Sequence, residues 1–269
     1  MNIKLAAYLD EAGDDPAKSC EVLVSKNISG VCLRRAWCRD ISSMPDNALG
    51  ILDSTLSQHK LTSVLMCTEI GCVPLEKLAE EEVRLTRAMQ VCKYLKCKSI
   101  RIGLGLPSTS GTNYHFERWI ATAMSLSVSY DVSLLFEPDY DSHVSQPAAV
   151  AIFLNKHRRF SLLYDPAVLI MRTRIDPFVK FWSLLKSRVS FIDIHDYKIG
   201  DAAKPAGYGN GQLDLTVSDA IASKFSGWFC LEPGLGKRYG DISGKEKTFL
   251  HAYDSFESLL QRTQLPKIL

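Results

Sequence analysis

The chain has 269 residues, 46% of them hydrophobic and 23% charged, with a formal net charge of +2. This composition suits a globular protein large enough to build its own core. The small charge offers no basic face for nucleic acid or an anionic membrane, and no run of about 18 apolar residues marks a transmembrane helix.

Short, mostly continuous apolar runs recur along the chain, as expected for strands buried on both faces of a parallel sheet. The first, 3–9, is followed by a helical segment at 15–27, where Asp15 can cap and Pro16 occupies the first turn. Strands are expected at 28–34 and 61–67, then the clearest helix at 75–96. Its Leu78, Val83, Leu85, Ala88, Met89, Cys92 and Leu95 are read as one apolar face. A strand at 98–105 leads into a Gly-, Ser- and Thr-rich loop, 104–115, expected to act as a flexible lid. Helical segments at 113–130, 145–157, 176–187 and 213–225 alternate with strands at 132–138, 160–166, 190–196 and 227–233. The tail 261–269 is expected to fray or to pack across the base of the fold.

The strand–helix unit thus repeats about eight times with a period of about 30 residues, which predicts one (β/α)8 TIM barrel spanning 1–269. An open doubly wound sheet would carry a glycine-rich loop after an early strand, and "YLDEAGDD" is not one. The N-terminus reaches acids too early for a secretory signal, so cytoplasmic residence is expected. The eight cysteines form no CxxC pair and read as reduced thiols, mostly filling core, rather than as a zinc site.

In a barrel of this kind the active site lies at the C-terminal strand ends. The fifth to eighth strands end in Glu137, Asp165, His195 and Glu232. A single acid at a strand end more often meets solvent or caps a helix, and the prolines after three of these residues can mark helix starts. Four ligand-type residues on four consecutive strands point instead to a hard divalent cation. Mn²⁺, Mg²⁺ or Co²⁺ suits this donor set, with Zn²⁺ as a further candidate. A cation would also offset the repulsion of three carboxylates in a partly desolvated site.

At these residues the chain resembles the xylose isomerase-like TIM-barrel superfamily. The resemblance is carried by "LLFEP", "LLYDP", "IDIHDYK", "GYGNGQLD" and "GWFCLEP", in that order. It implies that Glu137, Asp165, His195 and Glu232 ligate the metal. It further implies that Glu137 and Glu232 serve as acid and base on opposite sides of a ketose, through a metal-stabilised cis-enediolate. Family members are often dimers or tetramers, so a homo-oligomer is expected. The sugar-binding shell departs from the ketose epimerases: Val168 replaces a histidine, Asp201 an arginine, Cys32 a glutamate and His143 a second glutamate.

Other residues near the expected mouth are Lys198, His143, Trp37 and Tyr8, read as substrate-contacting candidates against the alternatives of surface or core positions. Asp193 shares a strand face with His195 and is expected to orient its imidazole, while Asp196 is expected to point outward or cap. Arg34 and Arg101 are open between binding an anion and forming a buried ion pair. The leading function is metal-dependent isomerisation or epimerisation of a small sugar or hydroxy-keto acid. The alternatives are a dehydratase or other lyase on a similar polyol, and a barrel that kept the metal site without turnover. An endonuclease needs more histidines than the six present, and the 104–115 loop lacks the lysine of a nucleotide-binding P-loop.

Overall fold

Eight parallel strands close into a barrel: β1 (Lys4–Tyr8), β2 (Gly30–Leu33), β3 (Thr62–Cys67), β4 (Ser99–Arg101), β5 (Ser133–Phe136), β6 (Phe160–Tyr164), β7 (Val189–Ile194) and β8 (Trp228–Leu231). Each pairs with its sequence neighbours, and β1 closes the ring against β8 through Lys4–Trp228 and Ala6–Cys230. This computed structural model of the protein describes residues 3–110, 112–139, 141–173, 176–235 and 244–264. The end of the tail, 265–269, lies outside them. Every expected strand is present, though shorter than its apolar run, and in all but β3 the last residues of the run leave the ladder to form the mouth.

Helices return the chain after each strand. Asp15 caps Pro16–Ser25 by accepting from Ala17 N at 3.0 Å, as its sequence suggests. The expected 75–96 helix splits into a 3-10 segment, Leu75–Glu80, and an α-helix, Glu81–Tyr94. Val83 is 78% exposed, whereas Leu85, Ala88, Met89 and Cys92 are buried. Its place on the apolar face is therefore corrected: Val83 stands two residues before Leu85 and five before Ala88, off the three-and-four spacing of that stripe. The segment 176–187 is also irregular, running through a π turn at Phe178–Trp182 into Ser183–Leu185 and Lys186–Arg188. Helices Asp46–Gln58, Asn113–Tyr130, Pro147–Lys156, Pro166–Thr173 and Leu213–Ala222 serve the other crossovers, and Lys245–Gln264 follows β8. Among the described residues no helix is long and apolar enough to cross a membrane.

The core has two parts. One lies between sheet and helices. The other fills the barrel lumen with Ala6, Tyr8, Cys32, Leu65, Cys67, Leu135, Leu163, Phe191 and Cys230. Alternation puts every second residue of a strand inward, so the next inward position up from this layer is the mouth. All eight cysteines are free, and six of them are buried.

The loop after β4 is not free at its start, which corrects the lid expectation for its first residues. Gly103 N, Gly105 N and Leu106 N donate to Ile70 O, Gly71 O and Val73 O at 2.7, 2.9 and 2.8 Å, zipping it to the loop after β3. A Cβ at Gly103 would lie 2.4 Å from the carbonyl carbon of Gly71. Gly103→Ala is expected to destabilise the fold by about 1–3 kcal/mol through overpacking, read as a lower urea midpoint. An unchanged midpoint would show that the two loops are not locked together.

Candidate active site

Strand alternation carries the inward face of each strand to its C-terminal end. Leu135 is followed two residues on by Glu137, Leu163 by Asp165, Asp193 by His195, Cys230 by Glu232, Cys32 by Arg34 and Ser99 by Arg101. Six ionisable side chains therefore meet at one rim.

Asp165, His195 and Glu232 form the tightest group, with one ligand atom from each lying within 4.8 Å of the others. Asp165 uses Oδ1 to accept from Ala167 N at 2.7 Å and Val168 N at 3.1 Å, capping the helix that Pro166 begins. Its Oδ2 faces His195 Nδ1 at 2.9 Å. Here the helix-start reading and the site reading coincide, since one carboxylate does both. Glu232 pairs with Arg34 Nη1. Arg34 also reaches Asp10 at 3.1 Å and Glu11 at 3.0 Å, and its guanidinium lies 4.9 Å from the centre of the Tyr8 ring.

Glu137 stands at the same rim but turns to a different partner. Its Oε2 accepts from Arg101 Nη2 at 2.7 Å, while Arg101 Nη1 bonds Thr68 O at 2.6 Å. The two arginines are thus ion-paired to the two candidate glutamates, which decides between the readings the sequence left open for them. Asp10 and Glu11 were not anticipated as site residues. The signal was present in acids placed directly after the first strand, where a short helix, Leu9–Ala12, carries them.

Several expectations change. Asp193 does not orient His195, whose Nδ1 faces Asp165; Asp193 Oδ2 instead accepts from Tyr8 Oη at 3.3 Å. Asp193 Oδ1 is buried with no partner among the described residues. Tyr8 is fully buried in the lumen, so it is no wall for a substrate at the mouth. Trp37, at 37% exposure, and Cys38 form the left-handed turn of a hairpin, Arg35–Ala36 with Arg39–Asp40, beyond β2. His143 is part-buried with its ring 4.8 Å from that of Phe116, and Lys198 is exposed beyond the hairpin strand Asp196–Tyr197.

Asp196 is buried rather than outward. It accepts from the N–H groups of Gly207, Gly209 and Gly211 at 3.0, 2.9 and 2.9 Å, organising the loop beside His195. A Cβ at Gly209 would lie 2.1 Å from Asp196 Oδ1, so the alternate glycines of "GYGNG" are needed for this wrap. An Asp following the His, with glycines at alternate positions downstream, is the pattern that could have found it. Asp196→Ala is expected to cost about 1–3 kcal/mol by stranding these donors, and to speed amide exchange at 207–211. Protection unchanged there would refute the role.

The site's electrostatics follow from burial. Burial pushes the Glu137 carboxyl up to about 7; Arg101 pulls it down, and Asp165 and Glu232 push it up. Burial alone would lower the His195 imidazole, but the adjoining Asp165 carboxylate outweighs it and holds the group at about 9. Asp193 is raised well above the carboxylate range by burial and then by the acids around it. Both Glu137 and His195 bind protons more tightly folded than at their ordinary values of 4.5 and 6.5. Their contributions are complete below those values and are lost as pH rises through about 7 and about 9. Protein stripped of cations with a chelator is therefore expected to lose stability as pH rises across that window, read as a falling urea midpoint. A midpoint that rises would contradict these shifts.

The donor set fits a hard divalent cation. Two carboxylates and an imidazole, each with a ligand atom within 4.8 Å of the others, are the residues that would hold it. The carboxylates gathered at the rim raise one another's proton affinity, a repulsion that a cation would offset.

No protein-family model and no curated protein matches the chain. Solved structures do. A xylose isomerase domain protein from Planctomyces limnophilus superposes with a TM-score of 0.76 at 12% identity, covering 98% of this chain and 99% of that one. A xylose isomerase-like TIM barrel protein from Mycobacterium smegmatis, in complex with magnesium, gives 0.71 at 14% identity, covering 96% and 98%. A 3-keto-D-glucoside 4-epimerase from E. coli gives 0.70 at 11% identity, covering 97% and 100%. At such identities the likeness establishes the closed (β/α)8 barrel fold.

Proposed function

We propose that the protein is a divalent-cation-dependent isomerase or epimerase of a small sugar or hydroxy-keto acid. The observation that carries this reading is the convergence of Asp165, His195 and Glu232 within 4.8 Å, at the rim that also holds Glu137. Asp165, His195 and Glu232 would hold the cation, with Glu137 the fourth candidate ligand. When bound, such an ion polarises a substrate carbonyl and acidifies the adjoining C–H.

The remaining work falls to the chain. One glutamate takes the proton from carbon, and the other returns one. Glu137 titrates at about 7 in the cation-free site, where both protonation states are populated at neutral pH, as an acid–base group requires. Arg101 holds that carboxylate at 2.7 Å, and Arg34 sets the position of Glu232. Trp37, His143 and Lys198 are candidates for substrate contact, and Asp193 is reassigned to supporting Tyr8 beneath the site. The solved neighbours named as an epimerase and as a magnesium complex support the reading by fold. Eight unpaired thiols suit a reducing compartment such as the cytoplasm. We take the whole chain as one domain, acting on a small molecule rather than on nucleic acid or a membrane, and expect it to self-associate.

A second outcome of the same first step is loss of hydroxide, as in a dehydratase; Val168, Asp201 and Cys32 set the substrate shell apart from that of the ketose epimerases and leave the choice to experiment. The test is NMR of Mn²⁺-loaded protein with a panel of ketoses and keto acids in deuterated water. Deuterium entering carbon with no change of formula supports the isomerase or epimerase. Deuterium with loss of one water supports the lyase. No deuterium with any substrate, despite a bound cation, overturns both and leaves a non-catalytic barrel.

A further inference from the structure

The candidate active site draws Glu137, Asp165, His195 and Glu232 from the C-terminal ends of β5 to β8. Around the N-terminal ends of β4 to β7 the barrel opens into a cleft of about 440 Å³. Three arginines line it. Arg158 and Arg159 occupy the turn before β6, and Arg188 ends the 3-10 turn before β7. Arg188 is clamped by backbone carbonyls, with Nη1 on Leu154 O at 2.7 Å and Nη2 on Phe160 O at 2.7 Å. No carboxylate lines the cleft, and among the described residues none pairs with any of the three. Asp131, the acid that Arg159 influences, is already bonded to Lys98 at 2.6 Å.

Hydroxyl groups complete the lining. Ser99 and Ser133 are register partners on β4 and β5, and Ser161 stands on β6 opposite Leu135, so all three share the inward face. Ser187 and Ser190 flank Arg188. None of these five side chains donates to or accepts from another protein group among the described residues. The cleft therefore presents three arginines that have no carboxylate partner among the described residues, two of them exposed, together with five hydroxyls. Fork-shaped guanidinium groups and hydroxyls are the donors that phosphate oxygens accept from most readily.

We propose that this cleft binds a small phosphorylated molecule, an organic phosphate or diphosphate, at the end of the barrel opposite the candidate active site. Its volume falls within the ~300–1,000 Å³ typical of small-molecule sites. The chain's formal net charge of +2 leaves little long-range attraction for a nucleic-acid backbone.

The test is calorimetric titration of inorganic pyrophosphate into the chelator-treated full chain at fixed ionic strength. The expected result is saturable one-to-one binding. It should be weakened about tenfold or more in Arg158→Ala/Arg159→Ala, as expected for losing a charge-assisted hydrogen bond. Both side chains are exposed and unpaired, so that variant should keep the wild-type far-UV spectrum. Absence of saturable binding would overturn the proposal. So would equal binding by the folded double variant, or tighter binding of a short oligonucleotide than of pyrophosphate.

Discussion

Glu137→Gln is expected to slow carbon–deuterium exchange by a factor of about 10²–10⁴, the contribution of one positioned acid–base group. The amide keeps the shape and can still accept from Arg101, so the effect should fall on turnover more than on folding. Some stability loss is expected as well, because the part-buried Arg101 would lose its carboxylate partner. Rates should therefore be normalised to folded enzyme. Glu69→Gln is the control: its side chain is 76% exposed and meets Arg101 only at 3.3 Å from outside, so it should leave the rate nearly unchanged. A Glu137→Gln rate within a few-fold of wild type would remove Glu137 from the chemistry.

His195→Ala is the second large effect. It deletes one member of the three-residue cluster and leaves Asp165 Oδ2 without its 2.9 Å partner. Removing an outer partner of a metal ligand already costs about 10–100-fold in affinity, so loss of a direct ligand should cost about 100-fold or more for Mn²⁺. Equilibrium dialysis with elemental analysis measures this without reference to turnover. The wild type should hold one cation per chain, more tightly as pH rises toward about 9, because His195 must give up its proton to bind. Equal Mn²⁺ affinity in the two proteins would place any bound ion elsewhere.

Asp165 illustrates how much of the site was legible. Its type and its place at the end of an apolar run marked it as a rim residue, and the proline after it marked a helix start; both proved compatible because its two oxygens divide the roles. Glu137 was equally visible as a rim acid, but its partner was not. Arg101 is 36 residues away and belongs to the preceding strand, so the 2.7 Å bond exists only once the barrel closes. The same holds for Arg34, Asp10, Glu11 and Glu232, which lie at opposite ends of the chain and meet because β1 closes the ring against β8. Asp193 departs from its expected role for a related reason. Alternation correctly put it on the inward face, but depth in the lumen, not face alone, decides whether a carboxylate reaches the imidazole above or the phenol beside it.

What the sequence by itself determined is the repeating pattern. Apolar runs, helical segments and their period specify eight parallel strands, and strand alternation specifies which residues face inward at each end. These are local properties, set by side-chain periodicity and backbone sterics over a few residues. Only the tertiary structure decided which of the gathered charges pair. It turned two arginines onto two glutamates, buried Asp196 under a glycine loop and, among the described residues, left three arginines at the far end without a carboxylate. Those outcomes depend on distances across the closed barrel and on burial, which strengthens each charge's influence on its neighbours, and neither quantity exists until the ring is complete.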